Sequence, residues 1–272
     1  MMDLSKMTFV LGGPDTEMKY ITDILEDRGL KFTYASDSLG NRVSRKAAYD
    51  VDIPKLNRNQ VWIECRPRGY GSSEMQSLGY CLIDHHNEGD PGYNASPKHF
   101  WEASSIGQLC DLIGQPKTIE LQMIAAADHC LHHAYNDGCP PIKRAQLLDF
   151  RLSHYKEGIR LAKVRFQQLL DHMRENRTYE FNGTLYFDAS DVKRNSFFVT
   201  DASAYGNVPF ISIRQRFGSE SKKVFLGNAP GKDITFFLEE GCHQFGKVKK
   251  VFGDPRRQFA GAYLEKDVYD ED

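Results

Sequence analysis

Residues 80–86 read YCLIDHH, a short apolar run of strand type that delivers Asp84, His85 and His86 into the polar, glycine-bearing segment NEGDPGY. The pattern predicts a buried strand ending in a site. In an open α/β sheet, ligands bind at the carboxyl ends of the strands, because the loops there escape the packing that buries the strands themselves. One acid and two imidazoles at such a place can hold a divalent metal, position a phosphate or pass protons. The same tripeptide also fits a solvated loop that happens to carry two histidines, so the surrounding chain has to decide.

Upstream, residues 61–65 (VWIEC) form a second apolar run, and residues 8–13 (TFVLGG) a third that ends in glycines. After PDTE, Tyr20, Ile21, Ile24 and Leu25 recur at helical spacing, and Gly29 supplies a stop. Residues 31–36 (KFTYAS) alternate as a further strand. Strands of this kind interleaved with helices predict a largely parallel sheet. Arg42, Arg45 and Lys46 fall in a polar connection that reads as a solvated basic loop or as a phosphate contact.

Downstream, HFWEASSIGQLCDLIG predicts one helix with Ser104 and Ser105 early in it, and residues 118–135 predict another. Gly138 and the Pro140-Pro141 pair break the chain. Over 142–177 apolar residues return at helical spacing, as one long helix or two joined near Gly158, which reads as a bridge between domains. From Thr178 the texture turns to aromatic and β-branched runs (TYEFNGTLYFD, NSFFVTD, VPFISIRQRFG, KKVFLG), with a hairpin signal at Asn182-Gly183. A helix over 233–240 and the stretch KVKKVFGDPRRQFAGAYL follow, and EKDVYDED predicts a frayed acidic end. The expected architecture is α/β: a parallel-sheet domain over 1–140, a helical linker over 141–177 and a smaller α/β domain over 178–272, with substrate in a cleft between them.

The chain has 272 residues, 40% hydrophobic and 26% charged, with 35 Lys and Arg against 37 Asp and Glu for a net charge of -2. That balance predicts a soluble globular protein and argues against long duplex nucleic acid as a partner, since an anionic ligand would need local basic clusters. Six cysteines (Cys65, Cys81, Cys110, Cys130, Cys139, Cys242) form no CxxC pair, so neither a zinc ribbon nor a disulfide framework is expected. No run approaches the length of a membrane span, and the cytoplasm is the expected compartment. A homodimer stays open.

Hydrolysing a phosphate ester near neutral pH needs an activated water and charge neutralisation at the phosphoryl oxygens, and two divalent metals about 3.5–4 Å apart do both. Such a pair needs carboxylates and imidazoles converging from separate strand ends. Asp15, Glu17, Glu64, Asp84, His85 and His86 all follow expected strands, and Asp128 lies in a later helix.

The order and spacing of these segments resemble the DHH phosphoesterase family, which includes RecJ-type exonucleases, nanoRNases and cyclic-dinucleotide phosphodiesterases. Its first motif, HxxPDxD, is matched by LGGPDTE over 11–17, and its strand-closing Asp by Glu64. Asp84, His85 and His86 supply DHH itself, followed by EASSIGQL, and Asp128 in AAADH matches the fourth motif. The glycine-rich signature of the family's associated C-terminal domain, GGGHxxAAG, resembles FGDPRRQFAGA, where Gly253 keeps the first glycine and Arg256 stands for the histidine.

The resemblance implies a phosphoesterase using Mn²⁺ or Mg²⁺ on a nucleotide or short oligonucleotide. Asp15 would hold a first metal, Glu64 would bridge, and Glu17, His85 and Asp128 would hold the second. His86 would meet the phosphate and Asp84 would orient the histidines. Arg66, Arg68, Gly253, Arg256 and Arg257 would grip substrate. Leu11 departs from the family's metal-binding histidine, and Glu17 and Glu64 carry one methylene more than its aspartates. These departures keep a second reading open, a degenerate member that binds a nucleotide or phosphorylated metabolite without cleaving it, and a third in which the fold serves another chemistry. His132, four residues from Asp128 on the same expected helix, could pair with it, but it and its neighbours His129 and His133 read first as ordinary polar residues.

Overall fold

The computed structural model describes residues 3–45, 47–52, 56–192, 197–215 and 222–265. Lys46, Asn195, Ser196 and residues 266–272 of the acidic end lie outside them. The chain forms two compact units, one of residues 1–130 and 138–142 and the other of 131–137 and 143–272.

In the first unit, β1 (Thr8–Leu11) leads through α1 (Thr16–Asp27) to β2 (Phe32–Tyr34), and β3 (Gln60–Ile63) leads through α2 (Ser72–Ser77) to β4 (Cys81–Ile83). The four strands make an all-parallel sheet in the order β2-β1-β3-β4. Successive strands therefore run outward in opposite directions from the β1/β3 pair. The loops leaving those two strands diverge there, opening the crevice in which parallel sheets take ligands. Phe9, Leu11, Val61 and Ile63 are fully buried, as the near-continuous apolar strands of a sheet covered on both faces require. Gly12, just past β1, has no substitute, since a Cβ there would stand 2.3 Å from the Glu64 carbonyl oxygen.

The helix expected over 99–114 is two, α3 (Phe100–Ala103) and α4 (Ser105–Ile113), broken at Ser104. Ser104 is extended and its side chain caps α4 by accepting from Gly107 N–H. Next, α5 (Ile119–Tyr135) is kinked at Cys130, whose φ of -155° and ψ of 55° are not helical.

In the second unit, α6 (Arg144–Ser153) and α7 (Ile159–Glu175) meet at Gly158, whose φ is 83°. These two helices, expected as a linker, bury Leu152, Ala162, Phe166, Leu170 and Met173 in a core of this unit. After them come β5 (Arg177–Phe181), β6 (Thr184–Asp188), α8 (Phe197–Gly206), β7 (Phe210–Gln215), β8 (Lys222–Gly227), α9 (Gly231–Glu239), β9 (Val248–Asp254) and β10 (Phe259–Leu264). They form a six-stranded mixed sheet, β5-β6-β7-β8-β10-β9, in which only β6 and β7 are parallel. Asn182 and Gly183, both at positive φ, turn the β5–β6 hairpin as expected. The described part of NSFFVTD, from Phe197 on, departs from its strand-like composition, because α8 buries Val199 and Ala202, three apart, in the core shared with α7. Tertiary burial overrides β propensity there. Among the described residues no helix is long and apolar enough to cross a membrane.

Candidate metal centre

The strand ends deliver the side chains. Asp15 caps α1 by accepting from Met18 N–H at 2.8 Å, which turns its second oxygen toward Arg45, 3.8 Å away. Glu17, in the first turn of the same helix, is buried and accepts from Ile106 N–H at 2.9 Å. Glu64 follows β3 with φ of 51°. This left-handed conformation costs a residue with a Cβ about 1 kcal/mol, so the surrounding fold must hold it. Asp84 follows β4, and one of its oxygens accepts from His85 N–H at 2.7 Å, His86 N–H at 3.1 Å and His86 Nδ1 at 2.9 Å. Asp84 thereby fixes the backbone of the pair and the ring of His86.

The side chains converge on His85 Nε2. Asp128 Oδ2 lies 3.0 Å from it, Glu64 Oε1 3.7 Å and Glu17 Oε2 3.8 Å. Glu64, His85, His86 and Asp128 each offer one ligand atom within 4.8 Å of the others and could hold a metal ion. Three segments distant in sequence are thus brought together, with Glu17 against them. His86, expected at the phosphate, is within ligand range. Asp15 stands outside the tight group, near enough for Glu64 and Asp128 to act on it electrostatically.

His129, not counted as a site residue from the sequence, stands behind His85. Its Nε2 is 3.1 Å from the Ala95 carbonyl oxygen, which can only accept, so Nε2 carries a proton. A neutral His129 so protonated offers the lone pair of its Nδ1 to His85 Nδ1, 3.1 Å away. His85 Nε2 faces three carboxylates, with a proton or a metal ion to be placed between them. Glu17 Oε2, Glu64 Oε1 and His85 Nε2 are all buried without a hydrogen-bond partner. Acceptors turned on acceptors in a buried place are unfavourable unless a proton or a metal ion sits between them. A hard, oxygen-rich donor set with one or two imidazoles fits a divalent cation.

Burial and the charge of His86 oppose the charged form of His85, but the hydrogen bonds and charge of the facing carboxylates outweigh them and raise it, so without a metal ion a proton on Nε2 is favoured. Burial, followed by the charges of Glu64 and Asp128, raises the Asp15 carboxyl to about 7. Burial and the same kind of repulsion, from Asp128 and Glu64, push Glu17 well above the usual carboxylate range. Burial opposes the charged form of His86. The Asp84 hydrogen bond and the charges of Glu64, Asp84 and Asp128 outweigh it, raising His86 to about 9.

Replacing His129 with alanine removes the acceptor that sets the His85 tautomer and lowers Mn²⁺ affinity about 10- to 100-fold, as loss of a partner behind a ligand does. His129→Gln, whose amide oxygen can accept from Nδ1, restores part of it. Calorimetric titration checks both, and wild-type affinity in the alanine variant would remove His129 from the account.

The kink at Cys130 decides which histidine reaches the centre. Because the helix bends after His129, Asp128 and His132 do not share a regular helical face. His132 belongs to the second unit, where burial and then His133 lower it to about 4.

The arginines expected to grip substrate are differently employed. Arg66 is buried in an ion pair with Asp90 at 3.0 Å, and Asp90 also accepts from Ser72 Oγ and, at 2.6 Å, from Asn87 N–H. This network ties the end of β3 to the loop after His86, so Arg66 is a positioning residue rather than a phosphate grip. Arg68 is paired with Asp50 at 2.7 Å and Asp52 at 3.0 Å. Arg42 donates to the Gly12 carbonyl oxygen and stacks on Tyr34. Arg45, with 68% of its side chain exposed beside Asp15, is the guanidinium at the rim of the group. Gly253, Arg256 and Arg257 lie in the second unit, at and after the end of β9.

Compared with protein-family models, with curated proteins and with solved structures, the chain has no significant match.

Proposed function

We propose that the protein is a divergent DHH-type, metal-dependent phosphoesterase acting on a nucleotide or short oligonucleotide, with the first unit as the catalytic domain and the second as the associated domain. The observation that carries this reading is His85 Nε2 held 3.0 Å from Asp128 in α5, 3.7 Å from Glu64 after β3 and 3.8 Å from Glu17 in α1. Mn²⁺ or Mg²⁺ held there would supply positive charge to a phosphoryl oxygen and make a nearby water more acidic. His86, its Nδ1 proton engaged by Asp84, keeps Nε2 for a phosphate oxygen. Its raised pKa keeps it charged at neutral pH, which suits contact with an anion. Arg45 takes the anion-gripping role that Arg66 and Arg68 cannot.

A second reading, binding without cleavage, is favoured by Leu11. It is fully buried where the family has a metal-binding histidine, and an apolar side chain whose burial contributes about 2 kcal/mol is a core residue, not a ligand. The test is Mn²⁺-dependent release of mononucleotide or phosphate from a panel of mononucleotides, dinucleotides and cyclic dinucleotides. Turnover supports the first reading. Tight binding with no turnover at any Mn²⁺ concentration supports the second.

A further inference from the structure

Two thiols meet at the bend of α5. That helix ends at Tyr135, where the Asn136 side-chain amide donates to the His132 carbonyl oxygen at 2.7 Å. Asp137, in the left-handed region at φ of 59°, turns the chain back, and Ile142 N–H donates to the Cys139 carbonyl oxygen at 2.9 Å. The return sets Cys139 Sγ 2.8 Å from Cys130 Sγ. Both residues are buried, and neither sulfur is in a disulfide.

A cysteine buried by itself is a small apolar residue that fills space. Two sulfurs in contact are more than that, because their separation is only about 0.8 Å longer than a disulfide bond. The non-helical backbone of Cys130 and the turn at Asp137 have already closed the loop between them, a closure that costs an open chain entropy. Both cysteines belong to the first unit and residues 131–137 to the second, so a bond between them would close the root of one excursion of the chain.

We propose that Cys130 and Cys139 form a reversible dithiol–disulfide site whose co-reactant is a peroxide. The Cys130 sulfur, in a residue 6% exposed where Cys139 is fully buried, attacks hydrogen peroxide. An S–O bond forms, the O–O bond breaks, and the thiol proton leaves with the departing hydroxide as water. The Cys139 sulfur then attacks the sulfenic sulfur. An S–S bond forms, the S–O bond breaks, and the second water carries away the Cys139 proton. Two thiols are oxidised and one peroxide is reduced to two waters. The bond fastens the bend that follows Asp128 and His129, and a dithiol reductant opens it again. Neither sulfur belongs to the metal centre, so the site stands whether or not the protein hydrolyses anything.

Trypsin releases both cysteines in one peptide, residues 118–143, and this makes the experiment direct. The full chain in EDTA is treated with hydrogen peroxide, unfolded in iodoacetamide and digested. Peptide 118–143 should emerge about 2 Da lighter and unalkylated, and dithiothreitol given before unfolding should restore both alkylation sites. In glutathione buffers, half-oxidation of the pair should need about tenfold less oxidised glutathione in the folded chain than in guanidinium, since the fold holds the sulfurs together. Amide exchange over 131–137 should slow about tenfold on oxidation. In Cys139→Ser the Cys130 sulfenic acid has no partner and should be trapped by dimedone. Two alkylation sites remaining after peroxide, a disulfide to any other cysteine, an equal glutathione requirement folded and unfolded, unchanged exchange, or no dimedone adduct in the variant would overturn it.

Discussion

Glu64→Gln and His85→Ala each abolish measurable Mn²⁺ binding and lower metal-dependent turnover about a thousandfold or more, a loss of roughly 4 kcal/mol of transition-state stabilisation. The size follows from geometry. Glu64 Oε1 and His85 Nε2 are buried and lie 3.7 Å apart, so water does not take the place of either one. Glutamine keeps the volume of Glu64 and its backbone position while removing the charge, so the loss would not come from a cavity. His129→Ala acts behind the ligand and costs less. That ranking distinguishes a metal centre from a cluster that is only structural, in which the buried imidazole and the carboxylate would affect stability and leave turnover alone. Measured kcat/KM for the three variants, on whichever substrate of the panel turns over, checks the order.

The second large effect is on stability. In EDTA the protein loses stability as pH rises from about 5.5 to about 8.5, with a fall in Tm on the order of 5–10 °C. Asp15 is raised to about 7, Glu17 is raised, and His86 is raised to about 9. A group whose pKa is higher folded than unfolded contributes stability that is complete below its unfolded pKa. That contribution disappears as pH climbs through the folded value. Asp15 and Glu17 account for the lower part of the window and His86 for the upper. Asp84, lowered because its hydrogen bond and charge interaction with His86 outweigh burial, acts oppositely, and its contribution is lost only in acid. Saturating Mn²⁺ should flatten or reverse the slope, because the metal binds deprotonated carboxylates and a neutral imidazole. Tm curves that run parallel with and without Mn²⁺ would show that the cluster does not bind it.

Much of the first unit is legible in residue order, because its strands are short continuous apolar runs. TFVL, QVWI and CLI cannot satisfy a buried sheet in any other state, and the polar residue after each run has to emerge at the carboxyl end. Glu64 and Asp84 are therefore placed by the sequence alone, and Asp84 accepting from the two residues after it is a local consequence. What escapes reading depends on distant partners. Arg66 looks like a phosphate grip until Asp90, 24 residues later, is seen to hold it. On an ideal helix His132, four residues from Asp128, is the better candidate than His129, and the bend at Cys130 removes that advantage. The clue available in the sequence was chemical: a metal-binding histidine needs a partner for its other nitrogen, and a second histidine beside Asp128 supplies one. In the second unit, α8 and the α6–α7 pair take their roles from Val199, Ala202, Phe166 and Leu170 packing together, which composition along the chain does not display.

Crystals soaked in Mn²⁺ and measured at the manganese absorption edge test the central claim most directly. An anomalous peak within bonding distance of Glu64, His85 and Asp128 is the predicted result. Crystals with full diffraction and no manganese there, with His85 Nε2 bonded instead to Asp128 as a protonated imidazole, would contradict it.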